Sequence, residues 1–331
     1  MTPFSNGLPI TMQDIKDAHA RIKPYVMRTP LIPSRTLSEK CGAPVLLKLE
    51  NLQPTGSFKL RGATNRLLQL TAEEKARGVI TVSSGNHGKA VGHIGQVLGI
   101  PVTIFLSTHT PACKVDSLRK THASVIVTGN SYDEAEVAAA AHERKHNLVH
   151  IPSFDDLSII AGQGTMALEI FEDAPETRNV IFPLSGGGMG AGIGSVARQQ
   201  VPAVAIWGVS MECSPVMVRS LEAGRVLSLP EELTLADGLK GGLGNPNHYT
   251  FNLCQQLVEH TALVSEEEIG LAIAFLFKEH RLVVEGSGAV GVAALLSGKI
   301  TPNNPTVVVI SGSNIDLSLF VELVERYSGL L

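Results

Sequence analysis

Short apolar runs alternate along this chain with longer stretches in which apolar positions recur every three to four residues. The short runs, at 44–49, 78–82, 102–106, 124–127, 180–184, 204–209 and 306–310, have the length of strands. The longer stretches, at 11–23, 61–69, 88–98, 131–146, 192–200 and 266–279, have the spacing of helices. Their alternation predicts an α/β fold with a parallel sheet covered by helices. The last helix is introduced by Ser265, with Glu268 three residues on, the spacing of a capping box. Residues 82–153 hold three short strand–helix units, which predicts a small unit inserted into a larger one formed by 1–81 and 154–331. No repeat, low-complexity tract or long linker interrupts the pattern.

Composition narrows the class. The chain has 331 residues, 44% hydrophobic, enough for a full core and for two domains. A net charge of −4 and the lack of a basic surface argue against nucleic acid or an anionic membrane as partner. Cys41, Cys113, Cys213 and Cys254 lie far apart and form no CxxC pair, so they read as reduced thiols. Residues 1–7 lack the basic and apolar regions of a signal peptide, and no apolar run approaches the roughly 20 residues of a membrane span. These features predict a soluble, cytoplasmic protein.

Four polar segments carry candidate chemistry. In Gln53-Pro54-Thr55-Gly56-Ser57-Phe58-Lys59-Leu60-Arg61-Gly62-Ala63, Lys59 follows a Pro/Gly turn and an aromatic residue. Such a lysine can form a Schiff base with an aldehyde cofactor, although a surface lysine at a helix start has the same local appearance. Ser185-Gly186-Gly187-Gly188-Met189-Gly190-Ala191-Gly192 follows an apolar strand and opens a helix. Its glycines let main-chain N–H groups approach a phosphate at the positive end of the helix. Gly186-x-Gly188-x-x-Ala191 also satisfies a loose dinucleotide fingerprint, with Glu212 as ribose partner, whereas no Gly-Lys-Ser/Thr follows for a triphosphate loop.

Ser83-Ser84-Gly85-Asn86-His87-Gly88 sits between a strand and a helix and suits a carboxylate, though an ordinary capped turn looks alike. Ser311-Gly312-Ser313-Asn314 lies at the carboxyl end of a buried strand, where parallel sheets place ligand contacts. His142-Glu143-Arg144-Lys145-His146 spells HExxH, but the predicted helix ends at once and no third ligand follows. Histidines and basic residues in a last helical turn complement the helix dipole, which accounts for them without zinc.

In this order, the four segments, together with Ala161-Gly162-Gln163-Gly164-Thr165 and Ala236-Asp237-Gly238, resemble the serine/threonine dehydratase and serine racemase family over almost the whole chain. Residues 208–212 and 234–251 look most like the hydroxyectoine-utilisation dehydratases within it. The resemblance implies pyridoxal 5′-phosphate as cofactor. It also implies the tryptophan-synthase β-subunit fold (fold type II), with two open twisted α/β domains and the active site between them. Lys59 would hold the cofactor and move the Cα proton, aided by burial beside Phe58 and by the cationic Arg61. Phe58 and Gly238 would flank the pyridine ring, Asn86 would face its phenolic oxygen and Ser311 its nitrogen. Ser185, Gly186, Gly187, Gly188 and Met189 would bind the phosphate. Ser83, Ser84, Gly85, Asn86 and His87 would bind the substrate carboxylate.

A serine rather than an aspartate at the ring nitrogen weakens the electron sink, which suits β-elimination from a small β-hydroxy amino acid. Ser84, opposite the lysine in the racemases, keeps racemisation as the alternative. A dinucleotide-binding protein and a non-catalytic sensor are further alternatives, but both leave some of these residues without a role. The family's carboxylate metal ligand is replaced here by Ser210, with Glu212 two positions on, so no metal is expected. The chain ends soon after Asn314, so neither a regulatory C-terminal domain nor isoleucine feedback is expected. A homodimer is expected from the family. Substrate choice would rest on Phe154 and the neighbourhood of 238–242.

Overall fold

The computed structural model describes residues 7–330; the N-terminal reading at 1–6, and Leu331, lie outside the described residues. Ten strands are present among these residues: β1 Leu31–Pro33, β2 Val45–Lys48, β3 Val79–Val82, β4 Val102–Leu106, β5 Ser124–Val127, β6 Val149–His150, β7 Asn179–Pro183, β8 Ala205–Met211, β9 His260–Val264 and β10 Thr306–Val309. Six form one sheet in the order β1-β2-β10-β7-β8-β9, parallel except for the edge strand β1. The other four form a parallel sheet in the order β5-β4-β3-β6.

The inner strands of both sheets are covered on two faces, which explains why they read as continuous apolar runs. Along β10 the side chains alternate: Val307 and Val309 enter one core, and Val308 and Ile310 the other. In the smaller sheet Val79 and Ile104 face one core, and Ile80 and Phe105 the opposite one. Sheet membership groups Val79–Val82 with the smaller sheet, and the helix Lys59–Leu68 packs there too, through Leu60, Ala63 and Leu67. The expected boundary, with residues up to 81 in the larger unit, runs through this strand.

The helix Leu157–Asp173 is the spine between the two sheets. Its Gly162 meets Gly62 so closely that an added β-carbon would lie 2.6 Å from the Gly62 Cα. On its other side, a β-carbon on Gly192 would lie 2.6 Å from the Gly164 nitrogen. The helices bearing Lys59 and the glycine-rich loop are thus docked on one rod. Spine and loop helix are buried almost all round, and so are the residues of Gly286–Leu296. That is why periodicity predicts no helix at 157–173 or 286–296.

The capping box at Ser265 and Glu268 is present, with both reciprocal bonds formed. The rings of His142 and His146 lie tilted at 36° with centroids 4.2 Å apart, at the end of Tyr132–His146. Among the described residues no helix is long and apolar enough to cross a membrane.

Candidate active site

Thr11, Thr71, Ser131, Asp156, Ser265 and Asp316 cap their helices with a side chain. Among the several helices without such a cap are Lys59–Leu68, Asn86–Leu98, Gly188–Gln200 and Gly286–Leu296. All four begin around one cleft, at the carboxyl ends of strands or in the loops beside them, where parallel sheets bind ligands. At Asn86–Leu98 and Gly188–Gln200 such a start offers main-chain N–H donors to an anion, whereas at Lys59–Leu68 the N–H groups of Phe58, Leu60 and Arg61 already donate to main-chain carbonyls.

Lys59 is the first residue of its helix, two positions earlier than periodicity predicts. Its Nζ donates to the Ser153 carbonyl at 2.7 Å and stands 5.3 Å from the centroid of the Phe58 ring. Removal from water lowers its pKa to about 8. Arg61, expected to help, points elsewhere: it is fully buried and paired with Glu50 and Glu169 at 2.7–2.8 Å. Lys48 completes that cluster, bonded to Glu169 at 2.6 Å, so two cations meet two carboxylates inside the protein. Arg61 thus anchors the helix that presents Lys59, with its charge already neutralised.

The glycine-rich loop is a tight cradle. Gly187, the N-cap of Gly188–Gln200, has φ +89°, which an L side chain adopts only with strain. A β-carbon on Gly186 would lie 2.3 Å from the Phe154 ring, and one on Gly188 3.1 Å from the Phe154 Cβ. Met189 is buried in the core below. The Ser185 hydroxyl donates to the Leu239 carbonyl at 2.8 Å, tying the loop to the turn Asp237–Leu239, where the Gly238 N–H donates to Ser287 Oγ at 2.9 Å. Asp155 accepts from the N–H groups of His248, Tyr249 and Thr250, fixing the helix that flanks Gly187. The loop fits a phosphate: main-chain donors at an uncapped helix start, with no room for β-carbons.

Opposite lie Ser83 and Ser84, both half-buried, exposed Gly85 and half-buried Asn86. His87 instead turns inward, buried, with Nε2 3.0 Å from the Ile151 carbonyl. Burial, reinforced by the Lys59 charge, lowers its pKa to about 3, so it is neutral. Of the 83–87 run, His87 alone is fully withdrawn from the cleft. Buried Ser311 is joined to the lysine segment, since the Phe58 N–H donates to its carbonyl at 3.0 Å.

Glu285 was not singled out by its sequence context. It is buried, and Asn86 Nδ2 donates to it at 2.7 Å. Burial raises its pKa to about 7. Glu212, the ribose partner of the dinucleotide alternative, is paired with Lys299 at 3.0 Å at the end of β8. Ser210 is buried with its hydroxyl against the Met211 sulfur.

The profile of the pyridoxal-phosphate-dependent enzyme family matches residues 22–312. The chain is 41% identical over 317 residues to the L-threonine ammonia-lyase of Thermotoga maritima, covering 96% of this chain and 79% of that one. Among solved structures, maize serine racemase superposes with a TM-score of 0.90 at 31% identity, covering 97% of this chain and 98% of that one. Threonine deaminase isoform 2 of Solanum lycopersicum, in its processed form, superposes with a TM-score of 0.89 at 35% identity, covering 96% and 88%.

Proposed function

Because the chain belongs to the family of pyridoxal-phosphate-dependent enzymes, with fold type II and the character of a threonine dehydratase-like lyase, we propose that it eliminates ammonia from a small β-hydroxy amino acid. Threonine or serine is the substrate class, with a hydroxylated diaminobutyrate as the narrower candidate, and a 2-oxo acid is the product. The observation that carries this reading is the Lys59 amine, lowered to about 8, in a cleft with the uncapped starts of Asn86–Leu98 and Gly188–Gln200.

When bound, pyridoxal phosphate supplies a sink for the electron pair left when the Cα proton departs. The chain's own residues do the rest. The N–H groups of Gly186–Met189 would hold the phosphate, and the N–H groups at Ser84–Asn86 would hold the substrate carboxylate. Phe58 and Gly238 would flank the ring, and Asn86 and the Ser311 hydroxyl would offer it polar contacts. Lys59 Nζ, partly neutral near pH 8, is the base for the Cα proton, and its hydrogen bond to the Ser153 carbonyl holds the amine in place. The β-hydroxyl leaves as water, and water re-enters as ammonia is released, so the net change is loss of ammonia. Neutral His87 positions its loop and carries no charge for the carboxylate.

Ammonia release by the loaded enzyme tests this reading with L-threonine, L-serine, 3-hydroxyaspartate and 3-hydroxy-2,4-diaminobutyrate, with D-isomers as controls. The rate order names the substrate, and a Lys59→Ala protein with normal turnover would sink the mechanism. A second reading, racemisation, is favoured by Ser84 in the cleft and by the likeness to maize serine racemase. Chiral analysis of unreacted substrate detects it. We further propose a cytoplasmic homodimer, which sedimentation velocity checks as to assembly.

A further inference from the structure

Four polar side chains from different parts of the fold form one hydrogen-bonded chain at the edge of the cleft. Lys89 Nζ donates to Asn314 Oδ1 at 2.6 Å. Asn314 Nδ2 donates to Asn86 Oδ1 at 2.5 Å, and Asn86 Nδ2 donates to Glu285 Oε1 at 2.7 Å. The second carboxylate oxygen accepts from the Asn314 N–H at 3.0 Å. The ends set the direction: an ammonium can only donate, and an ionised carboxylate can only accept. Both amides between them therefore have one permitted orientation.

The backbone is shaped around this arrangement. Glu285 is the N-cap residue of Gly286–Leu296, yet its side chain does not cap that helix. It turns instead towards Asn86 and over Gly312, where a β-carbon would lie 2.3 Å from Oε1. Gly288 is packed as tightly against Gly312, with 2.8 Å from an added β-carbon to the Gly312 carbonyl. A buried carboxylate that forgoes its own helix to hold an amide is poorly explained by stability alone, since its burial is costly.

We propose that Glu285 is a positioning residue: with Asn314 and Lys89 it fixes the Asn86 amide so that the second Nδ2 hydrogen is presented to the phenolic oxygen of bound pyridoxal phosphate. This rests on the reading of Asn86 as a cofactor contact. Asn86 Nδ2 has two hydrogens, and Glu285 takes one. With Glu285 ionised, the amide is polarised as a donor; with it protonated, the remaining carbonyl oxygen still accepts but the charge that polarises the amide is lost. Burial holds Glu285 at about 7, with Asp237 reinforcing the rise and Asn86, Asn314 and Lys114 opposing it. Lys89, at the far end, is lowered by burial and drawn back up by Glu285.

The test is a double-mutant cycle on the holoenzyme, read by the pH titration of the bound cofactor's absorbance and by cofactor Kd. Glu285→Gln is expected to shift the absorbance midpoint and to raise Kd roughly 5-fold, the scale of one disturbed hydrogen bond. Asn86→Ala is expected to do at least as much, and the double variant no more than Asn86→Ala alone. Effects that add in the double variant overturn the proposal, and so does a wild-type titration in Glu285→Gln beside a shifted one in Asn86→Ala. Asn86→Ala with wild-type absorbance and Kd overturns the cofactor role of Asn86, and the proposal with it. Lys89→Met, at the solvent side of the chain, gives the same reading if Glu285→Gln does not fold: a shift in the same direction supports the chain, and a wild-type spectrum overturns it.

Discussion

Lys59 donates its ammonium to the main-chain oxygen of Ser153 at 2.7 Å, across 94 positions of sequence. A carbonyl stabilises the ammonium, as does the Phe58 ring, yet the loss of water outweighs both and the pKa falls to about 8. Only the neutral amine attacks an aldehyde. Reloading of cofactor-free protein should therefore accelerate with pH through a midpoint of about 8, followed by absorbance in a stopped-flow instrument. A rate flat across that range would show that another group limits capture. Lys59→Arg should bind the cofactor without capturing it covalently.

The contact between Gly186 and Phe154 yields a second prediction. A β-carbon at Gly186 would lie 2.3 Å from the Phe154 ring, so Gly186→Ala must displace either the ring or the phosphate loop. Cofactor affinity should fall by roughly 10-fold or more, given that loop amides are useful only when correctly placed. Removing the obstacle in Gly186→Ala/Phe154→Ala should restore much of it. Equilibrium dialysis against pyridoxal phosphate measures both. Equal affinities for the two variants would mean that the loss does not arise from that clash.

The buried cluster of Lys48, Glu50, Arg61 and Glu169 is balanced, two cations against two anions. Burial pushes the Glu50 carboxyl up, but Arg61, with help from Lys48 and Thr29, holds it below its ordinary value. Arg61→Met leaves two carboxylates facing one lysine and should cost about 3–5 kcal/mol in urea unfolding of the apoprotein. Arg61→Met/Glu50→Gln restores the balance and should lose less than the single variant. A loss below about 1 kcal/mol for Arg61→Met would remove the cluster from the list of what holds the Lys59 helix.

Glu285 gives stability a pH dependence of known sign. Its carboxyl rises from 4.5 unfolded to about 7 folded, so the native state binds more protons across that window. Its contribution is full below about 4.5 and is lost as pH rises through about 7. Glutamine does not titrate. Between these limits the stability of Glu285→Gln relative to wild type should move in the variant's favour by about 3 kcal/mol. Tm of both apoproteins at pH 5 and at about pH 8 measures it. A difference that stays constant between the two would show that Glu285 keeps an ordinary pKa.

The chain's one-dimensional pattern determined the inner strands, because two-sided burial in a parallel sheet demands an unbroken apolar run such as Thr306–Val309, whereas the partly exposed edge strands Leu31–Pro33 and His260–Val264 carry no such run. It also marked the glycine-rich loop, since glycine alone takes without strain the φ of +89° at Gly187 and leaves room for the approach of Phe154 to Gly186. Lys59 stood out through its neighbours Gly56, Ser57 and Phe58. Tertiary structure alone decided the partners. Nothing local to Glu285 indicates that it meets Asn86, and nothing near Arg61 indicates that Glu169 cancels its charge. His87 reads as a cleft residue until the packing of its helix turns it inward. The wholly buried helices at Leu157–Asp173 and Gly286–Leu296 leave no polar face for periodicity to detect. Sequence pattern records how each segment divides its surface between water and core. Which charges and amides meet is settled only when segments 100 or more residues apart pack together, as Arg61 and Glu169 do across 108 positions.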